Sequence, residues 1–294
     1  MNQPSVAQFL IIIAADNRKK LKKLFDIPTD QAIDPTQSIL MLELGDRYCC
    51  AAVLKRRGFE AQRLVYYEAE DGEEMLQNII EGDDGFNAAF SDVLINYSFP
   101  ESIMTPSPYY NYDDGKKSLQ LIYGDEKETT VLSEHLSEWH LFNVYEVPKS
   151  VHSWISMQFH SGKYWHNYTS SLMSVDAAPQ DDIMLVDFKT GQFSVIVIKT
   201  GELQMVQTYT YAETADVLYY LLKICSTFSI SQRKVKLILS GLIERQSSLF
   251  KELYSYFVDV SFKTNPELVN LPFSFRQYPE HFFSSLFNLA LCVS

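Results

Sequence analysis

The sequence predicts an α/β protein of two similar lobes, each a mixed sheet with a three-strand antiparallel meander flanked by helices, and a cleft between them. The first observation behind this is a duplication. Residues 38–67 (SILMLELGDRYCCAAVLKRRGFEAQRLVYY) and 182–210 (DIMLVDFKTGQFSVIVIKTGELQMVQTYT) share one plan: an apolar strand reaching an acidic residue (Glu43, Asp187), a polar turn, then two more strands. The second is that each meander is followed by a helical pattern and a further apolar strand. The third is length: 294 residues are enough for two domains.

Taken in order, residues 1–37 form an N-terminal extension, 38–174 a first lobe and 175–294 a second. In the extension, Arg18-Lys19-Lys20 with Lys22-Lys23 reads as the polar face of a short helix whose other face carries Leu21, Leu24 and Phe25. Strands rich in β-branched, aromatic or Cys residues follow at about 39–45, 48–55 and 61–68. Residues 72–81 (GEEMLQNIIE) read as a helix with acids in its first turn, which the helix dipole favours. Residues 91–97 read as a buried strand, Phe99–Tyr112 as a loop with one extended stretch, and Lys116–Tyr123 as a helix. Strands are expected over Thr129–Leu132 and Leu141–Val147, with a helix opening at Pro148 and His160–Ser174 as a link between halves. In the second lobe, strands fall at about 183–188, 192–199 and 202–210, followed by a helix over Glu213–Thr227. A strand at Val235–Leu239, a helix at Ser247–Phe257, a strand at Val258–Phe262 and an apolar helix over Pro279–Leu291 complete the chain.

Composition excludes several function classes. Hydrophobic residues make up 46% and charged residues 21%, as in ordinary globular proteins. The 19 Phe and 18 Tyr point to an aromatic core. A net charge of −12 opposes binding to nucleic acid or anionic lipid. No apolar run reaches the ~20 residues that span a bilayer, and residues 1–8 lack the positive flank of a signal peptide. Cys49, Cys50, Cys225 and Cys292 have no C-x-x-C spacing, so free thiols in a reducing, cytoplasmic setting are expected. The six histidines make no H-E-x-x-H or H-x-H pair, so no metal site is expected. His166 and Ser170 share a face if their segment is helical, and a bond bracing the lobe junction is the expected use, because a nucleophilic pair would need an orienting group and an oxyanion site. Walker-type, dinucleotide and G-x-S-x-G motifs are absent, and only 11 glycines are present.

The twofold order of strands and helices resembles the actin-like ATPase superfamily, which includes actin, sugar kinases and heat-shock ATPases and has ribonuclease H-like lobes. The second lobe is similar to the pilus-assembly and cell-division actin homologues. The segments His166–Ser170, Gln207–Tyr220, Leu237–Ile243 and Phe273–Phe283 resemble a small bacterial family of proteins of unknown function. The resemblance implies a nucleotide cleft. In active members the first hairpin of each lobe carries an acid that holds Mg²⁺ through water, then a glycine two positions on that admits phosphate, then hydroxyl residues. The first lobe offers Glu43 and Gly45, followed by the acidic Asp46; the second offers Asp187 and Thr190, with Lys189 in the glycine position. The adenosine turn, normally a glycine pair, reads Ser240-Gly241. Read as residues alone, Glu43 and Asp187 are turn residues at strand ends.

Two functions follow. The favoured one is a pseudo-ATPase without cofactor, a scaffold or adaptor for an unidentified protein partner, with a dimer left open and the segment Pro106–Tyr112 (PSPYYNY) as a candidate interface. The alternative is a divergent enzyme or switch that binds ATP and magnesium between the lobes, with Glu43, Asp187 and Gly241 lining the cleft.

Overall fold

The computed structural model describes residues 21–28, 32–69, 79, 86, 88–124, 128–176 and 179–293. Two sheets carry the duplication. In the first, β2 (Ser38–Leu44), β3 (Tyr48–Lys55) and β4 (Ala61–Ala69) form the antiparallel meander, and β5 (Asp92–Tyr97) runs parallel to β2. In the second, β10 (Ile183–Lys189), β11 (Gln192–Lys199) and β12 (Glu202–Thr210) form the meander, and β13 (Lys236–Gly241) runs parallel to β10. The outer parallel strands are β9 (Gly162–His166) beside β5 and β14 (Asp259–Phe262) beside β13.

The strands are apolar on both faces because both faces are covered. With period-two alternation, Leu40, Leu42 and Leu44 pack with Val151 and Ile155 of helix α2 (Lys149–Gln158). Ile39 and Met41 face the opposite side and meet Phe283, Leu286 and Phe287. In the second lobe, Met184, Val186 and Phe188 pack beneath α4 (Thr214–Thr227) and α5 (Ser248–Tyr256), while Leu185 and Ile196 face Leu136 and Leu172 of the first half of the chain.

Between β5 and α2 the first half carries an insertion with no counterpart between β13 and α5. It comprises β6 (Ser102–Pro106), α1 (Tyr112–Tyr123), β7 (Thr129–Leu136) and β8 (Leu141–Pro148), and its sheet has the order β6-β8-β7. Asn111 caps α1, its side-chain oxygen accepting from the N–H groups of Asp113 and Asp114 at 2.9 and 3.4 Å.

Several expectations are corrected. The basic segment around Lys22-Lys23 is not a helix: Leu21–Pro28 forms β1, antiparallel to β4 at the edge of the first sheet. Its lysines pair across and along that edge, Lys22 with Glu68 at 3.7 Å and Lys23 with Asp26 at 2.8 Å. Arg18, Lys19 and Lys20 lie outside the described residues. So does the helix expected over 72–81, apart from Ile79, which is helical and buried. The stretch 160–174 is more than a link, since it supplies β9 and helix α3 (Asn167–Leu172). The closing helix is broken into 3-10 turns at Glu280–Phe282 and Asn288–Cys292 around the single turn α6 (Ser284–Phe287), because the segment fits a narrow space between the sheets. No helix among the described residues is long and apolar enough to cross a membrane.

The junction is braced through α3. His166 caps it, Nδ1 accepting from the Tyr168 N–H at 3.2 Å while Nε2–H donates to the Phe99 carbonyl at 2.9 Å. Burial pulls the imidazole down to about 4, so it stays neutral near pH 7. The Tyr168 hydroxyl bonds the Thr208 hydroxyl on β12 at 2.6 Å. Ser170 bonds Asn96 and the Asn167 carbonyl, so His166 and Ser170 form no pair.

Glu134 on β7 stands near this junction, with one carboxyl oxygen accepting from the Tyr145 hydroxyl at 2.5 Å. Burial pushes its carboxyl up to about 7, against the Thr169 and Tyr145 hydroxyls that favour the charged form. The folded protein therefore holds a proton that the unfolded chain releases near 4.5, and stability falls as pH rises from that point to about 7. Glu134→Gln is expected to gain ~2 kcal/mol over the parent at pH 8 and almost nothing at pH 4, measured by urea denaturation at both values.

Candidate functional site

The meanders place their acids in equivalent registers. Glu43 lies beside Asn96 where β2 meets β5, and Asp187 lies beside Ser240 where β10 meets β13. Neither acid is a solvated turn residue: Glu43 is 0% and Asp187 8% exposed. The burial follows from the strands on either side and from the C-terminal segment lying across them.

Between the acids sits Lys189. Its Nζ lies 2.8 Å from Glu43 and 3.3 Å from Asp187, and it donates to the Ser285 hydroxyl of α6. Ser285 in turn donates to the second Glu43 oxygen at 3.0 Å, and the Tyr48 hydroxyl donates to the first at 2.7 Å. Ser240 donates to Asp187 at 2.7 Å. Burial opposes the ammonium charge, but the carboxylates of Asp187 and Glu43 outweigh it and hold the lysine above its ordinary range. The ammonium offsets one of the two carboxylate charges, and the hydroxyls of Tyr48, Ser285 and Ser240 donate to the carboxylate oxygens.

The remaining candidates are engaged as well. The Gly45 N–H donates to the Tyr48 carbonyl at 3.1 Å, and a Cβ at Gly45 would fall 2.5 Å from the Tyr48 ring, so the tyrosine packs directly on this glycine. Thr190 lies 3.4 Å from the Tyr66 hydroxyl, which brings the tip of the second hairpin onto the first sheet. Gly241 is required for packing: φ is +74°, and a Cβ there would lie 2.0 Å from the Phe188 carbonyl oxygen. Beside Asp187 and Ser240 remains a void of about 10 Å³, room for about one water.

The family resemblance groups Glu43, Asp187 and Ser240 in one cleft; in the structure Ser240 bonds Asp187, and Lys189 links Asp187 to Glu43. The resemblance put Lys189 in a glycine position and gave it no ion pair with the acids, although a spacing of two sets Asp187 and Lys189 on one face of β10. Tyr48 and Ser285 carried no comparable signal. Among the described residues no group of three or more His, Cys, Asp or Glu could hold a metal ion. The four cysteines are free.

Lys189→Met leaves two buried carboxylates without their cation and is expected to cost ~3–5 kcal/mol. Adding Glu43→Gln and Asp187→Asn to the same chain should restore most of that loss, because the uncompensated charge is then gone. Chemical denaturation of the single and triple variants at pH 7 checks both expectations.

The arrangement of two meander sheets flanking a closed junction is the actin-like ATPase fold. A protein from Bacteroides thetaiotaomicron with that fold and unknown function superimposes with a TM-score of 0.71 at 16% identity, covering 79% of this chain and 94% of that one. A chain of the PilM–PilN type IV pilus biogenesis complex superimposes with a TM-score of 0.60 at 12% identity, covering 88% of this chain and 99% of that one. No curated protein matches the sequence at a significant level. At the level of sequence families, residues 29–260 match the profile of DUF3822, described as a protein of unknown function, and the chain belongs to that family.

Proposed function

We propose that this protein is an actin-fold pseudo-ATPase that acts as a protein-binding scaffold or adaptor, with a degenerate nucleotide site. The observation that carries the reading is the position of Lys189. In a working member of the superfamily the two acids would face a hydrated Mg²⁺ and the phosphates it neutralises. Here a covalently attached ammonium stands between Glu43 and Asp187 and supplies the positive charge permanently. A nucleotide entering this space would have to displace Lys189 and Ser285 and leave two carboxylates facing its own anionic phosphates.

With the junction filled, the exposed surface is the place for function. The insertion carries a group of exposed apolar side chains, with Tyr109, Leu121 and Ile122 at 80%, 87% and 60% exposed. Tyr110 instead stacks on Phe142 with centroids 3.7 Å apart, so half of the aromatic approach to α1 is anchored and half presented. Exposed tyrosine and aliphatic side chains on one insertion suit a protein interface. The fold of PilM takes part in a complex with PilN, which is consistent with such a use. Four free cysteines suit a reducing, cytoplasmic setting.

Titration calorimetry with ATP and ADP, with and without Mg²⁺, tests the reading. No saturable heat up to millimolar nucleotide is expected from the folded protein. Micromolar, Mg²⁺-dependent binding that is lost in Asp187→Ala would overturn it in favour of a nucleotide-dependent enzyme or switch. On the surface, Tyr109→Ser with Leu121→Ser and Ile122→Ser is expected to leave stability within ~0.5 kcal/mol per site and to remove function in a complementation assay.

A further inference from the structure

A cleft of about 670 Å³ opens beside the closed junction, within the size range of small-molecule sites. Gly45, Lys189 and Thr190 are not among its lining residues, so nothing about it depends on the scaffold reading. Its floor is polar and short of partners. Lys263 follows β14, where its N–H extends the ladder to the Leu239 carbonyl at 2.9 Å. Strand alternation sends Phe262 to the helix-covered side, against Phe250, and the Lys263 side chain to the opposite side. There the amine donates to the Ser174 hydroxyl. Ser174 spends its own proton on the Ser171 carbonyl at 2.6 Å, so it can only accept from the lysine. Two of the three ammonium protons remain. Among the described residues no carboxylate lies within 4 Å of this amine; Asp187 attracts it from farther away.

Two amides complete the floor. Asn288 is fully buried and neither side-chain polar atom has a partner. The Asn265 amide is also buried, again with both atoms unpaired. Buried amides left unsatisfied are destabilising, which marks a place where a ligand would supply the missing bonds. The walls are apolar, with Leu185 and Ile238 from the second sheet. The mouth is acidic: Glu138, Asp176 and Glu267 line it and are exposed.

One buried cation with amide donors fits a monoanion. Three carboxylates at the entrance repel a doubly charged phosphate and attract a cationic group. We propose that this cleft binds a small zwitterion of the short-peptide class, its carboxylate held by Lys263, Asn265 and Asn288 and its ammonium end by the acidic mouth. A free amino acid shares the chemistry but not the separation of charges, and the test distinguishes the two.

The test is calorimetry of the full chain at pH 7 with alanyl-leucyl-alanine, its C-terminal amide, its N-acetyl form, free leucine and inorganic phosphate. Saturable binding of the free tripeptide is expected, at least tenfold weaker for the amide and in Lys263→Met, and several-fold weaker for the acetylated peptide. The exposed pair Glu138→Gln and Glu267→Gln, which leaves the floor and fold untouched, should weaken the free peptide and spare the acetylated one. At pH 8.5 the binding heat should vary with buffer ionisation enthalpy, because burial has brought Lys263 down to about 8 and a bound carboxylate makes it take up a proton, the facing charges being Asp187 on β10 and the three mouth carboxylates. Leucine binding as tightly as the peptide would replace the peptide class by a free amino acid. Phosphate binding in preference to the peptide, equal affinity for the amide, or no heat from any of the five would overturn the proposal.

Discussion

The bond of Lys189 to both Glu43 and Asp187 is the constraint on which the rest of the structure depends. Each duplicated meander delivers one acid to the junction, at the same register of its sheet. Two buried carboxylates facing one another are not tolerable without a cation. The lysine resolves this from within β10, and in doing so joins the lobes through Glu43 and reaches the C-terminal segment through Ser285. Chain ends far apart in sequence are thereby fixed to a common centre, because the ammonium satisfies its protons in three different elements.

The neighbouring features follow from that closure. Tyr48 lies fully buried against Gly45 and stacks on Tyr66 with centroids 5.5 Å apart, so the first hairpin closes on tyrosine rings. The C-terminal segment can lie across the first sheet because Phe283, Leu286 and Phe287 fill one side of it and Ser285 meets the charges. The same segment presents Asn288 to the adjacent cleft, where its amide finds no protein partner. A filled junction and an under-satisfied cleft thus sit side by side, separated by Asp187 and Lys263.

The insertion is the principal departure from the internal symmetry. Where the second lobe passes from β13 to α5 by a short connection, the first builds a separate three-stranded sheet with α1 on it. Its inner side is tied down by Tyr145, Asn143 and His166, and its outer side carries the exposed Tyr109, Leu121 and Ile122. An element that lies outside the twofold repeat and exposes apolar side chains is where a scaffold would present its specificity.

Much of the fold was legible in the chain itself. The duplicated meanders, the parallel strand after each, and helices α1, α2, α4 and α5 follow from local periodicity and turn chemistry, which need only near neighbours. The acids Glu43 and Asp187 were also visible, because their place at equivalent strand ends is a property of the repeat. Tertiary structure decided the rest. Lys22 and Lys23 join a strand because β4 offers a free edge, which outweighs helical patterning. Residues 279–291 break into short turns because the space between the sheets, unlike their composition, does not admit a straight helix. The role of Lys189 required knowing that Glu43, 146 positions earlier, lies 2.8 Å away. Sequence sets which charges a chain carries; which of them meet is fixed by long-range packing.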